Sequence, residues 1–543
     1  MESTQVKPQN NSLSKAKIYT ILIILLLLTS FLLALLRLEP PHTHTSSWGD
    51  RTRDYLIAHY TAQDGERPLL GYQGGRASSP VYYYLLAGFL KITDSVFFLG
   101  VVNIFFHTAT IFLIYLIAKS LLGPFKALLS SIFFAVIPEV LQQTAFVFQP
   151  HQMQPFAYLA LYLLIFSLKK NNFTIVLLSL TIVSFAGNLH SSAFAWIPVF
   201  LILIFWMMRK KRQRVKYYIA ACFTLILSIG IFYLPVLAYY LKNPHLSNDL
   251  NINSIFPNPT QYFFLNLYHY FLMLTKTFSL NLTDNLQIDH LIAATLIIVC
   301  LIYYLFTQNK KAKTVVFIGI CFVILPILLA SLFSLNRGPL YYLYLTFGIF
   351  AVLITEIVIS SANHILKLYP YKLRIFITLI IFLFLVKTIS SDFAFAKPKK
   401  HPERLFALDG AVFSMEQEIP KIKNEKGFYR PNFFRIVAIN HSLISNNPDF
   451  YYYSPLSTVF LVPLEKNLQT KLAKTSDGIS WGITQINNDI FVFLICVEFY
   501  NKHFVEDCRN FFSQLYPNHR VIKNIYTRHP LSVYLTKKTY LMD

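Results

Sequence analysis

Residues 48–90 read WGDRTRDYLIAHYTAQDGERPLLGYQGGRASSPVYYYLLAGFL, and the rest of the chain is organised around this stretch. It holds a high density of charge in a chain that is otherwise apolar. Asp50, Arg53 and Asp54 fall within five residues, directly where a membrane helix would emerge. Gly65, Gly71, Gly74 and Gly75 break its middle, and Ser79-Pro80 opens an aromatic, helix-like segment from Val81 to Leu90. Ordinary extramembrane loops are also polar and charged, so composition alone leaves a plain connector and a functional loop both open.

Upstream, residues 1–17 are polar, with Lys7, Lys15 and Lys17 before an almost purely apolar run from Ile18 to Leu36. Crossing a bilayer takes about 20 apolar residues, so this run can span. A cleaved signal peptide is the rival reading. The run is longer than a typical signal core, and Arg37-Leu38-Glu39-Pro40-Pro41 offers no small-residue cleavage site. We read it as an uncleaved anchor with its N-terminus inside.

Downstream, apolar periodicity predicts further spans near 95–118, 126–146, 155–168, 173–189, 193–208, 217–240, 289–306, 314–334, 340–360 and 374–391. Lys119 and Lys126, Lys169-Lys170, the run Arg209 to Lys216, Lys310-Lys311-Lys313, and Lys367, Lys372 and Arg374 then share the side of the N-terminus. That agrees with the preference for positive charge on the cytoplasmic side. About 11 transmembrane helices put the C-terminus outside; one span fewer within 155–208 would put it inside. The segment 241–288, aromatic and partly apolar, reads as interfacial, with a further span as the alternative.

Composition agrees. Of 543 residues, 55% are hydrophobic and 14% charged, against roughly 25% charged in soluble domains. The net charge of +22 comes from 48 basic and 26 acidic residues. Because the positives lie between apolar spans, they serve topology, and nucleic acid is not an expected partner. Cys222, Cys300 and Cys321 fall in apolar runs and read as small core residues. Cys496 and Cys508 could pair only if the tail faces an oxidising compartment. No Cys/His spacing points to structural zinc.

From about residue 392 charges and prolines return, with Lys397-Pro398-Lys399-Lys400 as a linker. Strand-like runs at Phe434 to Ile439, Thr458 to Val462, Ile490 to Cys496, Val521 to Tyr526 and Leu531 to Leu535 alternate with helix-like stretches near 403–418 and 500–515. The expected architecture is therefore a mostly α polytopic membrane protein with a soluble mixed α/β domain at its C-terminus, divided as 1–17, 18–391 and 392–543.

Three elements of the opening stretch carry a family resemblance: Gly49-Asp50-x-x-Arg53-Asp54, Gly65-x-x-Pro68-Leu69-Leu70-Gly71, and Ser79-Pro80-x-Tyr82-Tyr83-Tyr84-Leu85-Leu86. Together they resemble the first external loop of GT-C glycosyltransferases of the protein-mannosyltransferase and aminoarabinose-transferase group. The resemblance implies a GT-C membrane fold, a polyprenyl-phosphate sugar donor, and an aspartate at the start of the loop as catalytic base. By position that aspartate is Asp50. Many relatives have Asp-Glu where this chain has Asp50-Arg51, so the acceptor is not read from the match.

Sugar transfer from a lipid phosphate needs a base, cations to steady the leaving phosphate, and an apolar groove for the lipid. Asp50 is the candidate base; its plainer role is an ion pair with Arg51 or Arg53. Arg53, Arg76 and Arg337 are candidates for the phosphate, since a guanidinium fork suits its oxygens. Arg337, in Asn336-Arg337-Gly338-Pro339, sits on the side poor in positive charge, against topogenic preference. Asp54 lies on the same face as Asp50 if the segment is helical. It could orient Arg53 or the acceptor. Tyr82 of the aromatic segment joins the substrate-binding set.

His151 and His190 end spans on the outer side and, by resemblance, line the cavity. They could hydrogen-bond sugar hydroxyls or, with Asp50 or Glu139, hold a divalent metal, the only cofactor in view. The leading reading is a membrane glycosyltransferase that inverts the anomeric centre on the outer face of a bacterial inner membrane. Its acceptor would be a lipid-linked glycan, lipopolysaccharide or protein. A transporter or flippase would favour ionisable groups at mid-depth and inverted repeats. A polymerase or ligase would rely on large external loops late in the chain. Here the polar groups cluster at span ends, on one side.

Overall fold

The computed structural model describes residues 10–38, 50–137 (without 64, 66, 70, 74, 75 and 94), 140, 149–209, 214–242, 301–332 (without 303, 307 and 309) and 344–368, and the tail strands. Two compact units form. One comprises Met1–Leu38, Leu69–Tyr82 and Gly100–Lys397; the other comprises Glu39–Pro68, Tyr83–Leu99 and Pro398–Asp543.

The helices in chain order are α1 (Asn10–Arg37), α2 (Asp50–Gln63), α3 (Val81–Leu90), α4 (Val96–Leu122), α5 (Pro124–Ala135) and the short α6 (Gln149–Gln152). They continue as α7 (Gln154–Lys170), α8 (Phe173–Leu189), a 3-10 turn (Ser191–Trp196), α9 (Ile197–Met208), α10 (Arg214–Lys242), α11 (Lys310–Leu332) and α12 (Tyr344–Leu368). Among the described residues, four stretches are long and apolar enough to cross a membrane: Lys17–Leu36, Phe97–Leu122, Val215–Tyr239 and Leu345–Ala362. The first and third are only 17% buried, whereas Leu345–Ala362 is 83% buried. So α12 is a central helix, while α1 and α10 turn Leu, Ile and Phe outward, surface that a hydrocarbon environment solvates at no cost.

Local chemistry sets the turns. Gly123 caps the start of α5 at φ 91°, a conformation that costs a side-chain-bearing residue, and Pro124 supplies the first helical φ. Between α7 and α8 the chain reverses in two residues. Asn171 ends α7 in the left-handed region at φ 55°, and the Asn172 side chain accepts from the Ile175 amide to start α8. These two helices consequently pack antiparallel, and Ser179 donates to the Ala160 carbonyl across them at 2.8 Å. Within the expected span 126–146, α5 ends at Ala135 and the chain turns at Val136, while residues 138–139 and 141–146 lie outside the described residues. Pro138 disfavours helical geometry in the residue before it, in keeping with that end.

The core of the helical unit is aromatic. Trp196 is fully buried, edge-on to Tyr158 (5.4 Å between centroids) and to Phe322 (5.2 Å). Each polar tip finds a carbonyl: Trp196 Nε1 donates to Phe322 O at 3.3 Å, and the Tyr158 hydroxyl to Leu345 O at 2.6 Å. One ion pair lies between α5 and α12. Lys126 Nζ contacts Glu356 Oε2 and donates to the Ser360 hydroxyl, both at 2.7 Å, while Tyr304 (3.0 Å) and Ser360 (2.9 Å) donate to Glu356 Oε1. Both oxygens of the carboxylate are thereby bonded, Oε1 twice, as a buried charge requires.

In the tail, β3 (Phe434–Ile439), β4 (Phe491–Val497), β5 (Arg520–Ile525) and β6 (Leu531–Lys537) form one sheet in the order β3-β4-β6-β5. β3 and β4 are parallel, β4–β6 and β5–β6 antiparallel, with an irregularity at Val521/Lys523. Four of the five strand-like runs are strands. The fifth, Thr458 to Val462, the helix-like stretches 403–418 and 500–515, segment 243–288, most of span 289–306, span 374–391, Cys508 and Arg337 lie outside the described residues.

Candidate active site

The first loop is built from α2, a hairpin and α3. Helix α2 begins at Asp50, so Asp50, Arg53 and Asp54 occupy its first turn and a little beyond, and the helical condition for Asp50 and Asp54 to share a face is met. A carboxylate at the first helical position is favoured by the macrodipole. Asp54 is 1% exposed, and its Oδ1 accepts from the Tyr83 hydroxyl at 3.2 Å. Tyr83, equally buried, lies in α3. The Tyr84 hydroxyl of the same helix donates to the Pro68 carbonyl at 2.7 Å. Adjacent tyrosines of the aromatic run thus brace α2 and the segment that follows it. Burial raises the Tyr84 pKa above its usual value, so its hydroxyl stays a donor.

In the hairpin, β1 (Gly71–Gln73) and β2 (Arg76–Ser78) pair with Gln73 opposite Arg76. The two residues between them in sequence are Gly74-Gly75, the type that tight two-residue hairpin loops select. Arg76 therefore opens β2. Three residues later the Ser79 hydroxyl donates to the Phe232 carbonyl of α10 at 2.9 Å, and accepts from the Val81 amide at the start of α3. Pro235 lies inside α10 and provides no N–H, which leaves the Ile231 carbonyl, four residues back, without its helical donor. The serine of the Ser79-Pro80 motif binds the neighbouring carbonyl, that of Phe232, and ties the end of β2 to α10.

The helical unit holds the other candidates. Tyr82 is 1% exposed, in α3. His151 is half-buried in α6, which packs against α8 and α12. His190 caps the end of α8 and opens the 3-10 turn. Its Nδ1 accepts from the Ser192 amide (3.4 Å) and sits 2.8 Å from the Ser192 hydroxyl, an arrangement that leaves the proton of the neutral ring on Nε2. Burial pushes its pKa down to about 3, so the ring is neutral. Gly187, one turn before, lets the Phe194 ring lie directly on α8, because any Cβ there would overlap it.

Beside these lie two amides that the sequence reading passed over. Gln152 is fully buried and Asn188 is 4% exposed. Nothing in the local sequence marks them, since glutamine and asparagine at helix ends are usually solvated. Only burial singles them out. Among the described residues, no group of three or more His, Cys, Asp or Glu is placed to hold a metal. Glu139, considered above as a ligand, lies outside them, as does Arg337.

No curated protein sequence matches this chain. Residues 77–238 match the family model described as dolichyl-phosphate-mannose-protein mannosyltransferase. Among solved structures, the chain is similar to ArnT from Cupriavidus metallidurans bound to undecaprenyl phosphate, at TM-score 0.53 and 9% identity, covering 95% of this chain and 98% of that one. The apo state of that protein aligns at TM-score 0.51 and 10% identity over 96% and 98%. The Archaeoglobus fulgidus oligosaccharyltransferase tethered with an acceptor peptide aligns less well, at TM-score 0.43 and 12% identity over 78% and 61%. At such identities the likeness to ArnT is one of fold, and a shared fold does not transfer an activity. The matched segment runs from the hairpin through α10, and the fold likeness extends over nearly the whole chain. Residues 77–238 of the chain thus match the protein-mannosyltransferase family model, and the chain as a whole shares the fold of ArnT, a GT-C membrane enzyme.

Proposed function

We propose that this chain is an integral-membrane glycosyltransferase that moves one sugar from a polyprenyl-phosphate donor to an acceptor on the outer face of the membrane. The observation that carries the reading is the construction of the first loop: α2 starts at Asp50, and the buried Asp54–Tyr83 hydrogen bond holds that helix to α3. Such bracing suits a base that must keep its place against a reacting hydroxyl. The family match over residues 77–238 and the fold shared with a protein bound to undecaprenyl phosphate support the donor class.

In this mechanism Asp50 takes the proton of the acceptor as its oxygen or nitrogen attacks the anomeric carbon. The bond from that carbon to the phosphate oxygen breaks, the configuration inverts, and the polyprenyl phosphate leaves with both electrons. Arg53, Arg76 and Arg337 would hold the leaving phosphate as its charge grows. Asp54 keeps α2 in place, Tyr82 and His151 contact substrate, and the neutral His190 serves as a hydrogen-bond partner for hydroxyls.

The same reading places residues 1–17 in the cytoplasm, a span-bearing region at 18–391, and an external α/β domain at 392–543, in a bacterial inner membrane with the site facing the periplasm. A hexose or pentose would be delivered to a lipid-linked glycan, lipopolysaccharide or a protein. The test is transfer of labelled sugar from a panel of polyprenyl-phosphate sugars in membranes carrying wild type or Asp50→Asn. A loss of on the order of 100-fold or more is expected, the scale of general-base catalysis. Equal transfer by both proteins would remove Asp50 as the base, and no transfer from any carrier would sink the glycosyltransferase reading.

A further inference from the structure

Polar chemistry that the proposed mechanism leaves unused gathers at the junction of α6, α7 and α8. Gln152 is 0% exposed, and neither Oε1 nor Nε2 has a hydrogen-bond partner among the described residues. Asn188, at the end of α8, donates from Nδ2 to the Ser184 carbonyl one turn back at 2.8 Å. That bond fixes the amide plane and turns Oδ1 away from its own helix, where it too has no partner among the described residues. Helix α6, which ends with Gln152, packs on α8, which ends with Asn188 and Leu189. Buried polar atoms without partners cost stability, and native chains keep few of them. Here three such atoms fall on two packed elements, next to the neutral ring of His190.

Their chemistry narrows what they meet. Two carbonyl acceptors and one amide donor, with no charge of their own, match groups that donate and accept at once. Hydroxyls do so. A phosphate would ask for cations, and an acyl chain would leave the amides unsatisfied. Resting on the glycosyltransferase reading above, we infer that Gln152 and Asn188 form a subsite for the hydroxyls of the transferred sugar, separate from the arginines proposed for the phosphate.

The experiment is binding of the purified full chain to bare undecaprenyl phosphate and to the same carrier loaded with mannose, glucose, galactose or N-acetylglucosamine. Wild type is compared with Gln152→Met and Asn188→Leu, which keep approximate shape and remove the amide. Wild type should prefer one loaded carrier over the bare one. Gln152→Met should lose on the order of tenfold of that preference, two neutral hydrogen bonds' worth, and Asn188→Leu, which removes one acceptor, roughly fivefold, with affinity for the bare carrier unchanged in both. Gln152→Met should also melt no lower than wild type, since it removes unpaired atoms. Retention of the sugar preference in both variants would assign the amides to ordered water and overturn the inference. A Gln152→Met chain that fails to fold would overturn it as well, by showing an internal structural role. A wild type that binds bare and loaded carriers equally would refute the subsite alone. One that binds no lipid phosphate would instead bring down the function on which the subsite rests.

Discussion

Tyr83→Phe is the sharpest probe of how the first loop is held. It deletes one hydroxyl and leaves the ring in its buried slot. The lost bond, 3.2 Å to Asp54 Oδ1, joins two side chains each 1% exposed, so water does not replace it without opening the structure. Removing the donor leaves a buried acceptor unsatisfied, which costs about 1–3 kcal/mol. Divided by 1.36 kcal/mol per decade, that is roughly a 5- to 150-fold rise in the opening equilibrium of α2. Hydrogen–deuterium exchange of the solubilised chain reads it directly. Amides of residues 51–63 should exchange about that much faster, while those of α7 and α8, in the helical unit, should keep their protection. Sugar transfer should fall with it, because α2 carries Asp50 at its start. Unchanged exchange in α2, or an equal loss in α7 and α8, would refute the bracing role.

Two further outcomes follow from buried ionisable groups. His190 is neutral when folded, with a pKa lowered to about 3 from an ordinary 6.5 by burial. Above pH 6.5 neither state takes up a proton and its contribution is complete. As pH falls from 6.5 toward 3 the unfolded chain protonates and the folded one does not, so stability declines across that window. His190→Gln should make melting temperature less steep in pH there; an identical slope would reject the assignment. Glu356→Gln leaves Lys126, 20% exposed, beside a neutral amide and should destabilise by about 3–5 kcal/mol, whereas joint replacement by Lys126→Met and Glu356→Leu should cost far less. Thermal melts of the three proteins decide it: equal losses in single and double variants would mean that the pair is not coupled.

Much of the fold is legible in the chain because bilayer solvation is a one-dimensional requirement. A run such as Ile18 to Leu36 must be helical in lipid wherever it packs, and the turn Asn171-Asn172 carries its own capping chemistry. Strands such as Phe434–Ile439 are likewise announced by a run rich in β-branched residues, whereas the helix that starts at Asp50 is only a condition in the sequence reading. What tertiary structure decided is which polar groups are buried and against what. Asp54 and Tyr83 stand 29 residues apart, and Ser79 and Phe232 153 apart. No local pattern holds that information, because a hydroxyl looks the same in sequence whether it meets water or an unpaired carbonyl. Gln152 and Asn188 were silent for the same reason. An amide is ordinary in a chain, and only close packing that excludes water gives its unpaired atoms a meaning.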